Sequence, residues 1–289
     1  YFATARCWDD GLVAPAEIDT CSAELLQASW DFARETGRPY QVHTSESIPQ
    51  FREITQRHGM TPVQWAHGLG ILGPGASLGH GIFLDHHAKT HWHTREDLAI
   101  LADTGTALAH CPTVFSRYGQ TLQSFGSYKR AGIAIGLGTD TFPHNLIEEM
   151  RTAIIAGRIT DGYAGSVALA DAFAAATVGG AGLLLRDDIG RLAPGMKADL
   201  VTIDLDHVLM RPVRDPLRSL VYTAAERAVR DVYVDGAQVV ATGRVLTLDM
   251  DDAAERLETE QAIMAAEVPK LDTAGRTADE VSPLSLPLA

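Results

Sequence analysis

The sequence is poor in the things that would make other readings easy. It has only three cysteines, Cys7, Cys21 and Cys111, odd in number and widely spaced. No CxxC pair occurs, so neither a disulfide framework nor a thiolate zinc site is indicated, and a reducing cytoplasm is the expected compartment. No apolar run approaches the ~20 residues that span a bilayer. Cations are scarce: 24 Lys and Arg face 37 Asp and Glu, a formal net charge of −13. That balance argues against nucleic acid or an anionic membrane as partner; it says little about a small-molecule substrate, the partner expected on other grounds. There is no nucleotide-binding glycine loop and no low-complexity tract. The first residues, YFATARCWDDG, have no initiator Met, no basic start and no apolar stretch. They are read as the interior of a longer chain rather than a signal peptide.

What remains, at 46% apolar and 21% charged residues, is the composition of a globular domain with a sizeable core. Within it a unit repeats: a short apolar run ends in a polar, chemically capable residue, and a helix-like segment follows. The runs are Pro39–Val42 before His43, Ala76–Gly79 before His80, Thr106–Ala109 before His110 and Ile133–Thr139 before Asp140. The intervals between the polar residues are 37, 30 and 30 residues, about one βα unit. Helices are expected from Thr20 or Ser22 to Glu35, over Ile48–His58, from Thr61-Pro62 through His67, from a Thr94 cap towards Ala102, over Leu146–Ala156 and over Asp171–Thr177. Alternation at this spacing implies parallel strands with helical crossovers, and in a (β/α)₈ barrel the working residues sit where strands end.

Beyond about Arg186 the pattern turns to β. Ile189–Leu192, Ala198–Asp204, Val229–Val234, Gln238–Val240 and Gly243–Leu248 read as strands, with an Asp235-Gly236 hairpin turn. Asp251–Val268 reads as a charged helix, and the residues after Asp272 as an extended tail. The expected division is a barrel part over 1–188, a small β-sandwich module over 189–250, and a helix and tail over 251–289.

The chemistry rests on the strand ends. His43 with Glu46 three residues later supplies an imidazole ligand and a carboxylate able to move protons. Asp140 ends a buried strand, where a carboxylate is costly unless a cation or hydrogen bonds compensate; capping the next helix is the alternative. His80 offers a second imidazole, or a core histidine. Cys111 has no identifiable base beside it. His86, His87, His91 and His93 are read as a loop lining the pocket mouth rather than a metal site. Glu17, Arg117 and His144 are candidates for substrate contact, and Glu148, Glu149 and Arg151 are read as helix-face charges with ion-pair partners.

The segments VHTSES (42–47), LGHGIFL (78–84), AHCPT (109–113), GLGTD (136–140) and IGRLAPGMKADLVTID (189–204) resemble, in order and spacing, the cytosine deaminase and chlorohydrolase branch of the amidohydrolase superfamily. The resemblance implies an α/β fold, the C-terminal half of a (β/α)₈ TIM-type barrel plus part of a β-sandwich, with strands five to eight and the end of the fourth represented. It implies that His43 and Asp140 bind one divalent metal, Zn²⁺ preferred and Fe²⁺ possible, that Glu46 shuttles protons, and that His80 contacts the attacking hydroxide or the substrate. His110 matches a position that is not usually a ligand. The family's HxH pair lies ahead of the residue matching His43, and no histidine precedes His43 here. CPTVFSRYG departs from the common CPxSN pattern. The implied activity is deamination of a pyrimidine, purine, pterin or triazine by metal-activated hydroxide. Dechlorination or dealkylamination of a triazine-like ring, and a non-catalytic assembly protein of the same fold, are the alternatives. Family habit implies a homo-oligomer.

Overall fold

The computed structural model describes residues 11–286. The helices form where capping chemistry and apolar spacing coincide. Helix α1 (Ala23–Thr36) starts at Ser22, whose hydroxyl accepts from Leu25 N, and stops at left-handed Gly37. Strand β1 (Tyr40–Thr44) leads into α2 (Ile48–His58), and α3 (Pro62–Gly68) opens on a full capping box between Thr61 and Gln64. Then come β2 (Ala76–His80), α4 (Asp97–Thr104), β3 (Ala107–His110), α5 (Pro112–Ser116), α6 (Phe125–Arg130), β4 (Ile135–Leu137) and α7 (Leu146–Asp161).

The four strands form one parallel sheet in the order β1-β2-β3-β4, as the repeat requires. Residues 13–18 run alongside β1: Gln41 N donates to Val13 O at 3.0 Å, His43 N to Ala16 O at 3.2 Å and Ile18 N to His43 O at 3.1 Å. The register sets Val42, Leu78, Leu108 and Ile135 in one row, all buried against the helices. The opposite face carries His43 beside Gly79, Ala109 and Gly136. A Cβ on Gly79 would lie 3.3 Å from the His43 Cα, so the missing side chain is what lets the imidazole lie against the sheet.

Several expectations need correction. The fourth strand proper is three residues long, Ile135–Leu137, although backbone bonds to β3 continue on either side: Leu108 N donates to Ala134 O at 2.8 Å and Gly138 N to His110 O at 3.0 Å. Thr94 does not cap α4. Its hydroxyl donates to Asp85 Oδ2 at 2.8 Å, and that same oxygen accepts the Glu96 and Asp97 amides at 2.5 and 3.2 Å. The cap comes from a distant carboxylate, which local sequence does not reveal. After α7, helix α8 (Leu169–Ala174) passes through a wider π turn at Ala175–Gly179 into α9 (Gly180–Leu183), which lies against β4.

The second sheet is antiparallel, in the order β5 (Leu200–Ile203), β6 (Val229–Val234), β7 (Ala237–Ala241), β8 (Arg244–Val245), with the hairpin turn at Asp235-Gly236. Ile189–Leu192 forms no strand, and the last expected strand is confined to Arg244–Val245, with Leu246 N adding one bond to Val239 O at 2.9 Å. Short helix α10 (Pro216–Ser219) intervenes, and Leu217 and Val221 reach the main core. Helix α11 (Met250–Leu271) is longer than the sequence suggested, and the tail after it contains one helical turn, α12 (Ala278–Val281), closed by a Thr277–Glu280 capping box. Among the described residues no helix is long and apolar enough to cross a membrane.

The Asp85–Asp97 pair sets a pH dependence. Asp97 is fully buried and accepts from Thr61 Oγ1 at 2.6 Å and from Asp85 N at 2.8 Å. Burial, with Asp85 and Glu96 nearby, pushes its carboxyl up to about 7. An unfolded Asp releases its proton near pH 4. Between there and about 7 the folded chain holds a proton that the unfolded chain has lost, so this contribution to stability falls as pH rises. Asp97→Asn removes the titration. The wild-type advantage over this variant, read from urea midpoints, should be larger near pH 5 than near pH 8. A difference that grows with pH would contradict the assignment.

Candidate metal centre

The candidate residues sit at the C-terminal ends of three strands, and the backbone there is unusual. Ser45, His80 and Asp140 all have left-handed φ, at 57°, 75° and 59°. Strict alternation along β2 would aim His80 away from His43, which is in register with Gly79. With the chain turned left-handed, the two imidazoles stack instead, centroids 5.2 Å apart and 28° from coplanar. Gly81 follows at φ 51°, where a Cβ would meet Leu108 Cδ1 at 2.3 Å. The Gly81 carbonyl accepts from the buried Tyr128 hydroxyl at 2.7 Å, fixing the turn from behind.

His43 Nδ1 lies 2.8 Å from the Ala16 carbonyl. A carbonyl only accepts, so Nδ1 carries the proton, and in the neutral ring Nε2 keeps a free lone pair, the orientation used by metal-ligating histidines. His80 Nε2 is 3.8 Å from Glu46 Oε2 and 3.7 Å from Asp140 Oδ2. Neither is a hydrogen bond. Both His80 nitrogens are buried with no hydrogen-bond partner in the structure. Desolvation, with His43 beside it, pulls the His80 pKa down to about 3, so the ring is neutral at physiological pH. Two carboxylates therefore lie beside one orphaned nitrogen, at separations that atoms sharing one ion would also show.

The electrostatics lean the same way. The Glu46 carboxyl is pushed up from its ordinary range, first by burial, then by Glu17, Asp19 and Asp140, with only His43 opposing. A bound cation would relieve this crowding. Nitrogen and carboxylate donors of this kind suit zinc, and iron equally by donor type. Among the described residues, no three His, Cys, Asp or Glu side chains lie close enough together to hold an ion unaided. The residues present fit a metal but supply only part of its shell.

The three substrate candidates have local contacts of their own. Glu17 bridges to His43 through the backbone. Arg117 is committed to the loop after Asp140: it donates to Thr141 Oγ1 at 3.2 Å and Phe142 O at 2.6 Å, and its guanidinium lies 4.3 Å from the Phe142 ring centroid. In the same stretch of chain His144 Nδ1 lies 3.2 Å from Thr139 Oγ1. Sequence reasoning missed Phe115, whose ring packs edge-on to His80 at 4.6 Å; the departure at CPTVFSRYG was its signal. It also missed Gln50, which accepts from Glu46 N and donates to Asp19.

One assignment changes. Glu149 is fully buried rather than a surface charge, and its Oε2 accepts from Thr113 N at 2.9 Å, anchoring the start of α5 to α7. Arg151 donates to the Val221 carbonyl at 2.6 Å, and its charge also acts on the Glu226 carboxylate. His86 and His87 are held inward from the loop. They pack against Tyr128 and Phe83, at 5.7 and 4.7 Å between ring centroids, while His91 and His93 are exposed. His110 is buried and neutral, its pKa drawn down to about 3 by desolvation. Burial raises the Cys111 thiol to about 12, which removes it as a nucleophile.

The amidohydrolase family model matches residues 9–239. The chain belongs to the amidohydrolase family. A 5-methylthioadenosine/S-adenosylhomocysteine deaminase of Natronomonas pharaonis is 30% identical over 239 residues, 81% of this chain and 53% of that protein. The crystal structure of an adenosine deaminase from Xanthomonas campestris with bound zinc superposes with TM-score 0.78 at 24% identity, covering 86% of this chain and 56% of that one. A mutant atrazine chlorohydrolase of Arthrobacter aurescens TC1, complexed with zinc and atraton, does so with TM-score 0.76 at 25% identity, covering 85% and 53%. This amidohydrolase chain thus spans about half the length of the curated relatives it matches.

Proposed function

We propose that this chain carries part of the active site of a metal-dependent amidohydrolase that removes an amine from a nitrogen heterocycle. In this reading β1–β4 are half of a (β/α)₈ barrel over residues 1–188, followed by the sandwich module over 189–250. The observation that carries it is the convergence of Glu46 and Asp140 on the orphaned Nε2 of His80.

His43, through Nε2, and Asp140 would hold the ion, zinc by preference. Once bound, a divalent ion supplies Lewis acidity and brings the pKa of water towards neutrality. Glu46 takes a proton from the attacking water and returns it to the departing amine. A carboxylate beside His80 and Asp140 is placed to do both. Neutral His80 offers one N–H and no competing charge, so it can hold the attacking oxygen without becoming a base. Glu17, Arg117 and His144 would contact the substrate, with Arg117 also fixing the Thr141-Phe142 loop.

The relatives' names make an adenine-containing nucleoside the first substrate class to test. The whole protein, loaded with zinc, is incubated with 5′-methylthioadenosine, S-adenosylhomocysteine, cytosine, guanine, pterins and chlorotriazines, with ammonia and chloride measured separately. Ammonia from an aminated ring is expected. Chloride alone would replace this reading with dechlorination, which the likeness to an atrazine chlorohydrolase favours. Neither product, with no metal bound, would favour an assembly role.

A further inference from the structure

Helix α11 is 22 residues long, and none of its residues is buried. Met250, Ala254, Leu257, Gln261, Met264, Val268 and Leu271 follow one another at alternating spacings of four and three. That is the a/d seam of a heptad repeat. The seam is open: Met250, Leu257, Met264 and Leu271 are 54, 71, 62 and 76% exposed. An aligned row of large apolar side chains left in water is unusual for a finished surface.

The residues flanking the seam decide what can cover it. The positions on either side are Asp251, Glu258 and Ala265 along one edge, and Ala253, Glu260 and Glu267 along the other. No Lys or Arg stands at any of them. The two cations of the helix, Arg256 and Lys270, lie further round and face Asp252 and Glu267 at 3.9 and 2.6 Å. Pairing two copies, parallel or antiparallel, would set carboxylates against carboxylates or alanines, with no attractive pair in either register. Gln261, polar in the middle of the seam, further restricts the partner, as buried polar groups in heptad seams do.

We propose that α11 is a docking helix for a protein partner whose apolar stripe or groove is rimmed by lysine and arginine. Apolar contact along the seam supplies the affinity. The carboxylate flanks supply selectivity and make binding salt-dependent. The surface lies outside the candidate metal centre, so the inference stands apart from the proposed reaction.

The test uses the full chain and two synthetic helical peptides of about three heptads, with leucine at the seam and either lysine or glutamate at every flanking position. Fluorescence anisotropy should show the lysine peptide binding at least about tenfold more tightly than the glutamate peptide, a preference that shrinks as salt is added. The double variant Leu257→Lys/Met264→Lys should weaken binding of the lysine peptide at least about tenfold, with circular dichroism and melting temperature unchanged. Equal binding of both peptides, or undiminished binding by the double variant, would overturn the proposal. So would sedimentation as a dimer that the double variant dissolves, which would make a second copy the occupant. Seam-dependent binding to phosphatidylcholine vesicles would also overturn it, in favour of a lipid surface.

Discussion

Glu46→Gln is expected to lower the rate of amine release on the order of 10²–10⁴-fold, the range typical of a lost general acid–base. Glutamine keeps the size and polarity of the side chain. The Glu46 backbone amide still donates to Gln50 Oε1, so the turn after β1 survives. What disappears is a group able to accept and return a proton. The pH profile makes the assignment specific. The carboxyl is held above its ordinary range by burial and by Glu17, Asp19 and Asp140. A base must be ionised to act, so kcat/KM of the wild type should show an acid limb that vanishes in the variant. Zinc content should be unchanged. Activity within tenfold of wild type, or an intact acid limb, would remove Glu46 from the proton path.

Asp140→Asn should weaken zinc binding by at least about 100-fold, since even the loss of a residue that only supports a metal ligand costs 10–100-fold. Asparagine is chosen because the backbone at this position is left-handed, with φ 59°, a conformation asparagine tolerates. The fold should persist, and the melting temperature of the metal-free protein should be little changed or slightly raised, because one crowded carboxylate has gone. Competition against a chelator measures the affinity. If the variant keeps its zinc at wild-type strength, Asp140 is not a ligand; it is not the cap of α7 either, since Asn145 fills that place.

The sequence showed the strand ends because an apolar run stopping at a polar residue is a local event. His43, His80 and Asp140 were legible for that reason, as were the Ser22 and Thr61 caps and the Asp235-Gly236 turn. Glu149 was not. Whether a helix carboxylate is buried depends on what packs over it, and the amide that satisfies it belongs to Thr113, on another helix. The same holds for Asp85, which caps α4 from eleven residues upstream of Glu96. Ile189–Leu192 had strand composition but found no partner strand, and pairing is a tertiary property that composition does not carry. The four histidines do lie in a loop, as expected, but how they divide between core and solvent is set by the fold of that loop and not by their closeness in sequence.

The left-handed turns at Ser45, His80 and Asp140 have a consequence for reading related sequences. Asp, Asn and His are among the few side-chain-bearing residues that sit comfortably in that conformation. A descendant that had abandoned catalysis would still be steered towards such residues at 80 and 140 by steric relief alone. Glu46 is not among the positive-φ residues and enjoys no such protection. In a drifting lineage its replacement would therefore be the earlier and more trustworthy sign of a silent enzyme.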